Sequence, residues 1–551
     1  MHWIISPKKS NNLIEQLLLN RQIKKRDWQS FLAPDFDNDL ANPFLMKGIK
    51  EAVQMIKKKR SQHNKIGIFS DYDADGIPAA ALLAKMFDQL KIKWEIYIPN
   101  RDEGYGLNKT GIDELIKKNC QMIVAIDLGS TNKKEINFIK KQSIQTIIID
   151  HHLIQKTKNP DPDAFINPRQ ANCKYPYKDF SAGGLVFKLA QAFVKNNLLS
   201  KNFLKENIDL AGISTICDIV PLTGENRVLA KFGLERLEKT KNIGLQALYK
   251  VSGIESDRFS VYTVGFQIGP RLNAPGRVLT PDGSFNLLTT ADEQKAQTLA
   301  KKINFINNQR QNEMQDGIEK AIAKIQKEEL YKNKIIIISQ KDLKPGIVGL
   351  LAGKISEKYY RPTIVFSDDG KIMKGSARSI KDFHIFEALN ICKKHLRKFG
   401  GHAQAAGLVL EKKNLQSFYD EILRLADKKL TNDILSPSQL IDGEIKLDIV
   451  NMRFFQAVSK LEPYGMSNPR PVFVSKKVNV ALVRPVGKKS EHLKLNFSYG
   501  NRVFSAIAFS VAKDFSWLKV KDRVDIAYTV DLNEFNGQKN LQLKIIDIKN
   551  A

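Results

Sequence analysis

Between residues 65 and 152 the chain repeats one unit: a short apolar segment, then in three cases an acidic residue at its end, then a stretch of helical pattern. Lys65-Ile66-Gly67-Ile68-Phe69-Ser70 reads as a buried strand, followed by an apolar helix over about residues 78–90. Strand-like segments recur at 94–98, 122–126 and 146–149, with helical segments near 111–118 and 133–141. Strands and helices alternating in such short units predict a parallel sheet with both faces covered.

The carboxylates follow the strands. Asp71-Tyr72-Asp73-Ala74-Asp75-Gly76 begins directly after the first, Asp127 follows the strand at 122–126, and Asp150-His151-His152 follows the strand at 146–149. In an open α/β sheet the crevice lies outside the carboxyl ends of the strands, so these groups should converge there. Several carboxylates in one pocket raise each other's pKa, and bound dications relieve that strain. Oxygen ligands with some imidazole suit Mn²⁺ or Mg²⁺. A metal pair about 3.5–4 Å apart can activate a water and clamp both oxygens of an in-line displacement at phosphorus. A calcium loop also begins D-x-D-x-D-G, but two features oppose it here. A strand precedes the loop where a helix would be needed, and its twelfth position is Leu82, which offers no carboxylate.

The remaining chain reads as further domains, since 551 residues exceed one hydrophobic core. A polar, helix-favouring stretch over about 290–329 reads as a rigid connector. A second α/β unit follows, with strands at 334–339 and 363–366 around a helix at 347–359. After Ser436-Pro437-Ser438, segments at 474–483, 492–497, 502–510, 523–530 and 540–548 largely alternate apolar and polar residues, as a five-stranded barrel would. The expected boundaries are 1–285, 286–330, 331–430 and 437–551. With 87 Lys+Arg against 59 Asp+Glu, the net charge of +28 favours polyanions, a nucleic acid before a ribosome-associated role. Four scattered cysteines form no CxxC pair, which opposes zinc ribbons and disulfides and suits a reducing cytoplasm. No apolar run approaches the roughly 20 residues of a membrane span, and the first residues lack a signal-peptide pattern. The expected location is cytoplasmic, without membrane partners.

These motifs together resemble the DHH phosphoesterase superfamily and, within it, the RecJ single-strand-specific exonucleases, from about residue 45 to the C-terminus. Asp71–Gly76, Asp127 and Asp150-His151-His152 are similar to the family's first three motifs, and Cys217-Asp218-Ile219-Val220-Pro221-Leu222 with Asn226-Arg227 to its fourth. The resemblance implies metal ligation by Asp71, Asp73, Asp75, Asp127, His151 and Asp218, catalytic roles for Asp73, Asp127, His151, His152 and Asp218, and a His152 contact to the scissile phosphate. Which clustered aspartate serves which of two cations stays open. The second α/β unit resembles the DHHA1 domain, through Lys374-Gly375-Ser376-Ala377-Arg378-Ser379 and the Gly-Gly-His stretch Gly400-Gly401-His402-Ala403-Gln404-Ala405-Ala406-Gly407. Ser376, Arg378 and His402 are therefore candidate substrate contacts, as are Arg101 and Arg277, the latter for a terminal 5′-phosphate. Glycine beside Ser and Arg lets backbone N–H groups approach a phosphate that a guanidinium grips. Where many members have His before Pro-Gly, this chain has Lys344-Pro345-Gly346, which keeps charge without the imidazole. The last domain resembles an OB fold, with Lys488, Lys489, Lys494 and Phe497 as candidate strand contacts.

The resemblance implies a 5′-to-3′ exonuclease that threads single-stranded DNA between the DHH and DHHA1 domains and releases mononucleotides in DNA repair and recombination. Helicase and single-strand-binding protein are its expected partners. Two other readings compete: a DHH phosphodiesterase acting on short oligonucleotides or cyclic dinucleotides, and a non-catalytic replication scaffold. The first class generally lacks an OB fold, and the second loses metal ligands that this chain retains.

Overall fold

The computed structural model describes all residues except 256–258, 279–281, 342 and 536–537, and all side chains but those and Arg101, Lys156, Arg277, Val278, Pro345 and Phe535. The chain divides into two compact units, one of residues 5–304 with 441–551 and one of residues 305–440 with 1–4.

The first unit contains the parallel sheet: β1 (Lys65–Ser70), β2 (Trp94–Tyr97), β3 (Cys120–Ile126), β4 (Gln145–Ile149) and β5 (Ala164–Ile166). Their spatial order is β2-β1-β3-β4-β5, every pairing parallel. Side chains alternate between faces along each strand. Ile66, Ile68, Val124, Ile126, Ile147 and Ile149 enter one core, which also holds helices α1 (Gly76–Gln89), α2 (Ala182–Lys195) and α3 (Asn202–Cys217). Phe69, Ile123, Ala125 and Ile148 enter the other, against helices Lys109–Lys117 and Lys133–Lys141. The expected covered sheet is present, with β5 as an additional strand. Its order reverses direction between β1 and β3, so the crevice of the sheet opens where Asp71 and Asp127 leave their strands.

Helix α4 (Gly224–Leu237) follows α3, and the long helix α5 (Glu293–Lys327) leads into the second unit. There β6 (Ile336–Lys341), β7 (Thr363–Asp368), β8 (Ile372–Arg378), β9 (Leu396–Gly401) and β10 (Ala405–Glu411) form a mixed sheet ordered β9-β10-β8-β7-β6. Only β6 and β7 run parallel, on either side of helix α6 (Pro345–Tyr359) in sequence. The other pairings are antiparallel. The two glycine-containing segments, read from sequence as candidate substrate contacts, are largely strands; alternate side chains stay on one face, which leaves Ser376 and Arg378 on the same side of β8.

The C-terminal residues return to the first unit as a closed five-stranded barrel, an OB fold: β11 (Phe473–Val486), β12 (His492–Tyr499), β13 (Arg502–Ala508), β14 (Arg523–Phe535) and β15 (Gln538–Asn550). The order is β11-β12-β13-β15-β14, closed by β14 against β11. Phe497 is fully buried in this barrel's core beside Leu493 and Leu495, so it offers no stacking surface. The period-two spacing of those three residues is the signal that places them together. Leu17, Leu18 and Phe31 join the same core. The N-terminal segment thus packs on the barrel, although it is nearer in sequence to the parallel sheet.

Candidate metal centre

The loop after β1 places three carboxylates through its own backbone. Asp73 Oδ1 accepts the N–H groups of Asp75 (2.8 Å) and Gly76 (3.0 Å), holding the first turn of α1, and Asn273 Oδ1 accepts the Ala74 N–H at 2.8 Å. Asp75 turns inward: its oxygens accept the N–H groups of Ala182 (2.9 Å) and Gly183 (3.2 Å) at the start of α2, and the Ser214 hydroxyl. After β3 the chain reverses sharply at Asp127, whose φ is +63°, a left-handed conformation that Asp tolerates better than most residues. After β4, Asp150 accepts the Ser130 N–H (2.8 Å), the His152 N–H (3.1 Å) and lies 2.8 Å from His152 Nδ1. Asp218 enters from the C-terminal end of α3.

These groups meet in one small volume, with Asp75, Asp127 and Asp150 buried and His152 at its exposed edge. His151 Nε2 lies 3.2 Å from Asp127 Oδ1 and 3.6 Å from both Asp75 Oδ2 and Asp218 Oδ2. Three ligand sets each bring their atoms within 4.8 Å of one another: Asp71, Asp73 and Asp127; Asp75, His151 and Asp218; and Asp127, Asp150, His151 and His152. Asp127 Oδ1 and His151 Nε2 are buried without a hydrogen bond, although close, because neither is aligned to serve the other. An unsatisfied buried acceptor of this kind is costly unless something else binds it.

The electrostatics agree. Burial, then the Asp73 charge, pushes Asp75 up to about 7. Burial, then Asp75 and Asp73, pushes Asp218 up to about 9. Burial and the neighbouring carboxylates raise Asp127 well above the usual range. Burial and the adjacent His152 push His151 down to about 4, which leaves a neutral imidazole suited to ligation. Asp150 differs: burial works against its charge, but the His152 hydrogen bond and charge and the Ser130 N–H hold it well below the usual range. Burial opposes a charge on His152, but Asp150 overcomes it and raises the ring above its ordinary value. A metal-free pocket would therefore retain protons, whereas oxygen donors with one neutral imidazole fit a hard dication.

The structure brings Asp71, Asp73, Asp75, Asp127, His151, His152 and Asp218 together. Ser376 and Arg378 form their own pair in the second unit, with Arg378 Nη1 donating to Ser376 Oγ at 3.0 Å. A Cβ on Gly349 of α6 would fall 3.0 Å from Arg378 Nη2 and 3.1 Å from Ser376 Oγ, so a larger residue there would crowd the pair. His402 is exposed in the connection between β9 and β10, where its backbone N–H donates to the Ala405 carbonyl at 2.8 Å. That bond closes the hairpin and leaves the imidazole outside it. Arg101 belongs to the short turn Arg101–Glu103 and Arg277 to helix Pro275–Val278, but both side chains lie outside the described residues.

Three supporting residues were not read from sequence as part of the site. Tyr105 donates to the Asp127 carbonyl at 2.9 Å and lies 3.0 Å from His152 Nδ1. Ser214 and Asn273 fix the first loop from segments 139 and 199 residues away. Asp150, which orients His152 and belongs to the third ligand set, was not read as a site residue, and its place at the head of Asp-His-His was the available signal.

Comparison with known proteins identifies the domains. Residues 65–214 match the DHH family N-terminal domain, 332–430 the DHHA1 domain and 441–547 the RecJ OB domain. The single-stranded-DNA-specific exonuclease RecJ of Bacillus subtilis is 34% identical over 97% of this chain and 67% of its own length. That of Haemophilus influenzae is 31% identical over 97% of this chain and 96% of its own. A crystal structure of RecJ with Mn²⁺ from Thermus thermophilus shares the fold at a TM-score of 0.82, with 23% identity, over all of this chain and 80% of that one. A crystal structure of exonuclease RecJ bound to manganese is 28% identical, with a TM-score of 0.61, over 70% of this chain and 95% of that one. With full-length relatives above 30% identity and all three domains matched, the chain belongs to the RecJ family of single-stranded-DNA-specific exonucleases.

Proposed function

We propose that this protein is a 5′-to-3′ exonuclease that removes mononucleotides from single-stranded DNA by metal-dependent phosphodiester hydrolysis, in DNA repair and recombination. The observation that carries this reading is the convergence of Asp127 Oδ1 and His151 Nε2, buried and without hydrogen bonds, among five further acidic side chains. Two of the three ligand sets share no residue: Asp71, Asp73 and Asp127 would hold one cation, and Asp75, His151 and Asp218 a second. Bound Mn²⁺ or Mg²⁺ supplies Lewis-acid activation of water and neutralises charge on the phosphoryl oxygens.

The chain's own residues supply the rest. Asp150 accepts the Nδ1 proton of His152 and favours its cationic form, so the ring can donate its Nε2 proton to a phosphate oxygen. Tyr105 braces the same imidazole and the Asp127 turn. Ser376 and Arg378 supply a hydroxyl and a guanidinium suited to the substrate backbone, with His402 as a further contact. Arg101 and Arg277 are proposed contacts for the strand and its 5′-phosphate. Helicase and single-strand-binding protein are proposed partners, and no helix among the described residues is long and apolar enough to cross a membrane.

The test uses single strands labelled at either end, with Mn²⁺ or Mg²⁺ and then with a chelator. Early release of labelled mononucleotide from the 5′ end, abolished by the chelator, is expected. Early release from the 3′ end would overturn the polarity, and chelator-resistant release would overturn the metal mechanism.

A further inference from the structure

Asp218 is held differently from Asp75 and Asp150. Asp75 and Asp150 are fixed by hydrogen-bond donors, whereas the Asp218 carboxylate receives no hydrogen bond from the described residues. Its place therefore depends on the backbone of residues 218–222. That backbone includes Ile219 at a φ of +58°, an unusual conformation for a β-branched residue, in the turn that ends α3, where its N–H donates to the Ile216 carbonyl at 3.3 Å.

Leu222, at the far end of that stretch, is held by the barrel's leading segment. The Leu222 N–H donates to the Met466 carbonyl at 2.8 Å. A Cβ on Gly465 would fall 2.6 Å from Leu222 Cδ1, so the two segments touch at the closest approach that glycine permits. The segment carrying Gly465 and Met466 is in turn gripped by Arg227, in the first turn of α4. Arg227 is 1% exposed, and its guanidinium donates to five carbonyls: Phe31 (2.6 Å), Lys460 (3.1 Å), Leu461 (2.9 Å), Glu462 (2.7 Å) and Pro463 (3.4 Å). Five bonds match the five N–H donors of the group. Its carbon also lies 4.0 Å from the centre of the Phe31 ring. From the barrel side, Asn468 Nδ2 donates to the Leu461 and Pro463 carbonyls, at 2.8 and 2.9 Å.

We infer that Arg227 is a positioning residue for Asp218, acting through residues 460–468, so that the barrel's leading segment completes the metal centre. This rests on the reading of the acidic cluster as a metal site. Asn226, next to Arg227, serves the same loop directly: its Nδ2 donates to the Pro221 carbonyl at 3.1 Å. A buried arginine that only joined two domains would need no link to residues 218–222, and here the link runs through Met466 and Leu222.

The test measures Mn²⁺ binding to the intact chain by calorimetry, with kcat, KM and Tm. Arg227→Lys keeps the charge but has three donors for five acceptors. It is expected to lose about 10- to 100-fold in Mn²⁺ affinity, the usual effect of disturbing groups that orient metal ligands. Its kcat should fall more than its KM rises. Gly465→Ala, which crowds Leu222 without touching Arg227, should weaken Mn²⁺ binding in the same direction and serves if Arg227→Lys does not fold. Val480→Ala, in the barrel core, is the comparison: it should lower Tm and leave Mn²⁺ affinity unchanged. If Gly465→Ala, or a folded Arg227→Lys, melts earlier yet binds Mn²⁺ like the parent, the inference is overturned. If the parent chain binds no Mn²⁺, the metal-centre reading fails and takes this inference with it.

Discussion

Asp127 occupies the middle of the site because a single residue combines three properties: it ends β3, it adopts a left-handed turn, and it aims a buried oxygen at His151. Asp127→Ala is expected to abolish cleavage while single-stranded DNA binding, measured by fluorescence anisotropy, stays largely intact. Loss of binding in a folded variant would show that the metal and strand contacts are not separable. A different carboxylate governs a pH effect on stability. Asp209 is buried in α3, where it accepts the Thr240 hydroxyl at 2.6 Å and the Leu210 N–H at 2.9 Å, and burial raises its pKa. A raised folded pKa means that the native state binds the proton more tightly than the unfolded chain. Asp209 is therefore least costly at acid pH, and that advantage is lost as pH rises through the folded value. The Tm of Asp209→Asn relative to the parent should accordingly be higher at neutral pH than at an acid pH below the ordinary carboxylate value. A difference that does not change with pH would remove Asp209 from this account.

At the scale of elements, the loop from β1 into α1 has little freedom. A Cβ on Gly76 would lie 2.7 Å from the Asp71 carbonyl oxygen and 3.0 Å from its carbon, both backbone atoms that cannot swing aside. Gly76→Ala should cost about 1–3 kcal/mol, typical of overpacking, and weaken Mn²⁺ binding by displacing Asp71, Asp73 and Asp75 together. Chemical denaturation and calorimetry read the two effects; unchanged Mn²⁺ affinity would show that the loop adapts without moving its carboxylates. Elements were also the scale at which the sequence was most unevenly legible. The strands ahead of Asp71, Asp127 and Asp150 were legible because they are apolar on both faces and end on the acidic residue. β8, β9 and β10 were not, because Gly375, Gly400, Gly401 and Gly407 weaken a strand pattern and look like turns. Their strand character comes from neighbours: Gly407 pairs with both Ser376 and Gly400.

Across the whole molecule, a net charge of +28 favours a polyanion before any specific contact forms. Affinity for single-stranded oligonucleotide should therefore fall linearly in log K against log salt, with a slope of about −0.7 per neutralised phosphate. Titration between low and moderate salt reads the slope, and a flat response would remove counterion release from the binding energy. The phosphate contacts proposed in the second unit belong to this balance, so Arg378→Ala should reduce the slope as well as the affinity. Distance along the chain is what hid the larger assembly. Phe31 and Leu461 are bound by one guanidinium, Arg227, although they are separated from it by 196 and 234 residues.

The sequence by itself determined the chemistry: that strands precede Asp71, Asp127 and Asp150, that acidic residues and a pair of histidines stand at their ends, and that the balance of charge favours nucleic acid. Those properties follow from local pattern and side-chain type, which do not depend on distant partners. Only the tertiary structure decided the strand order β2-β1-β3-β4-β5 that sets Asp71 beside Asp127, the burial of Phe497, and the packing of the N-terminal segment on the barrel. The reason is that each depends on which surfaces exclude water together, and that is fixed by contacts between segments far apart along the chain.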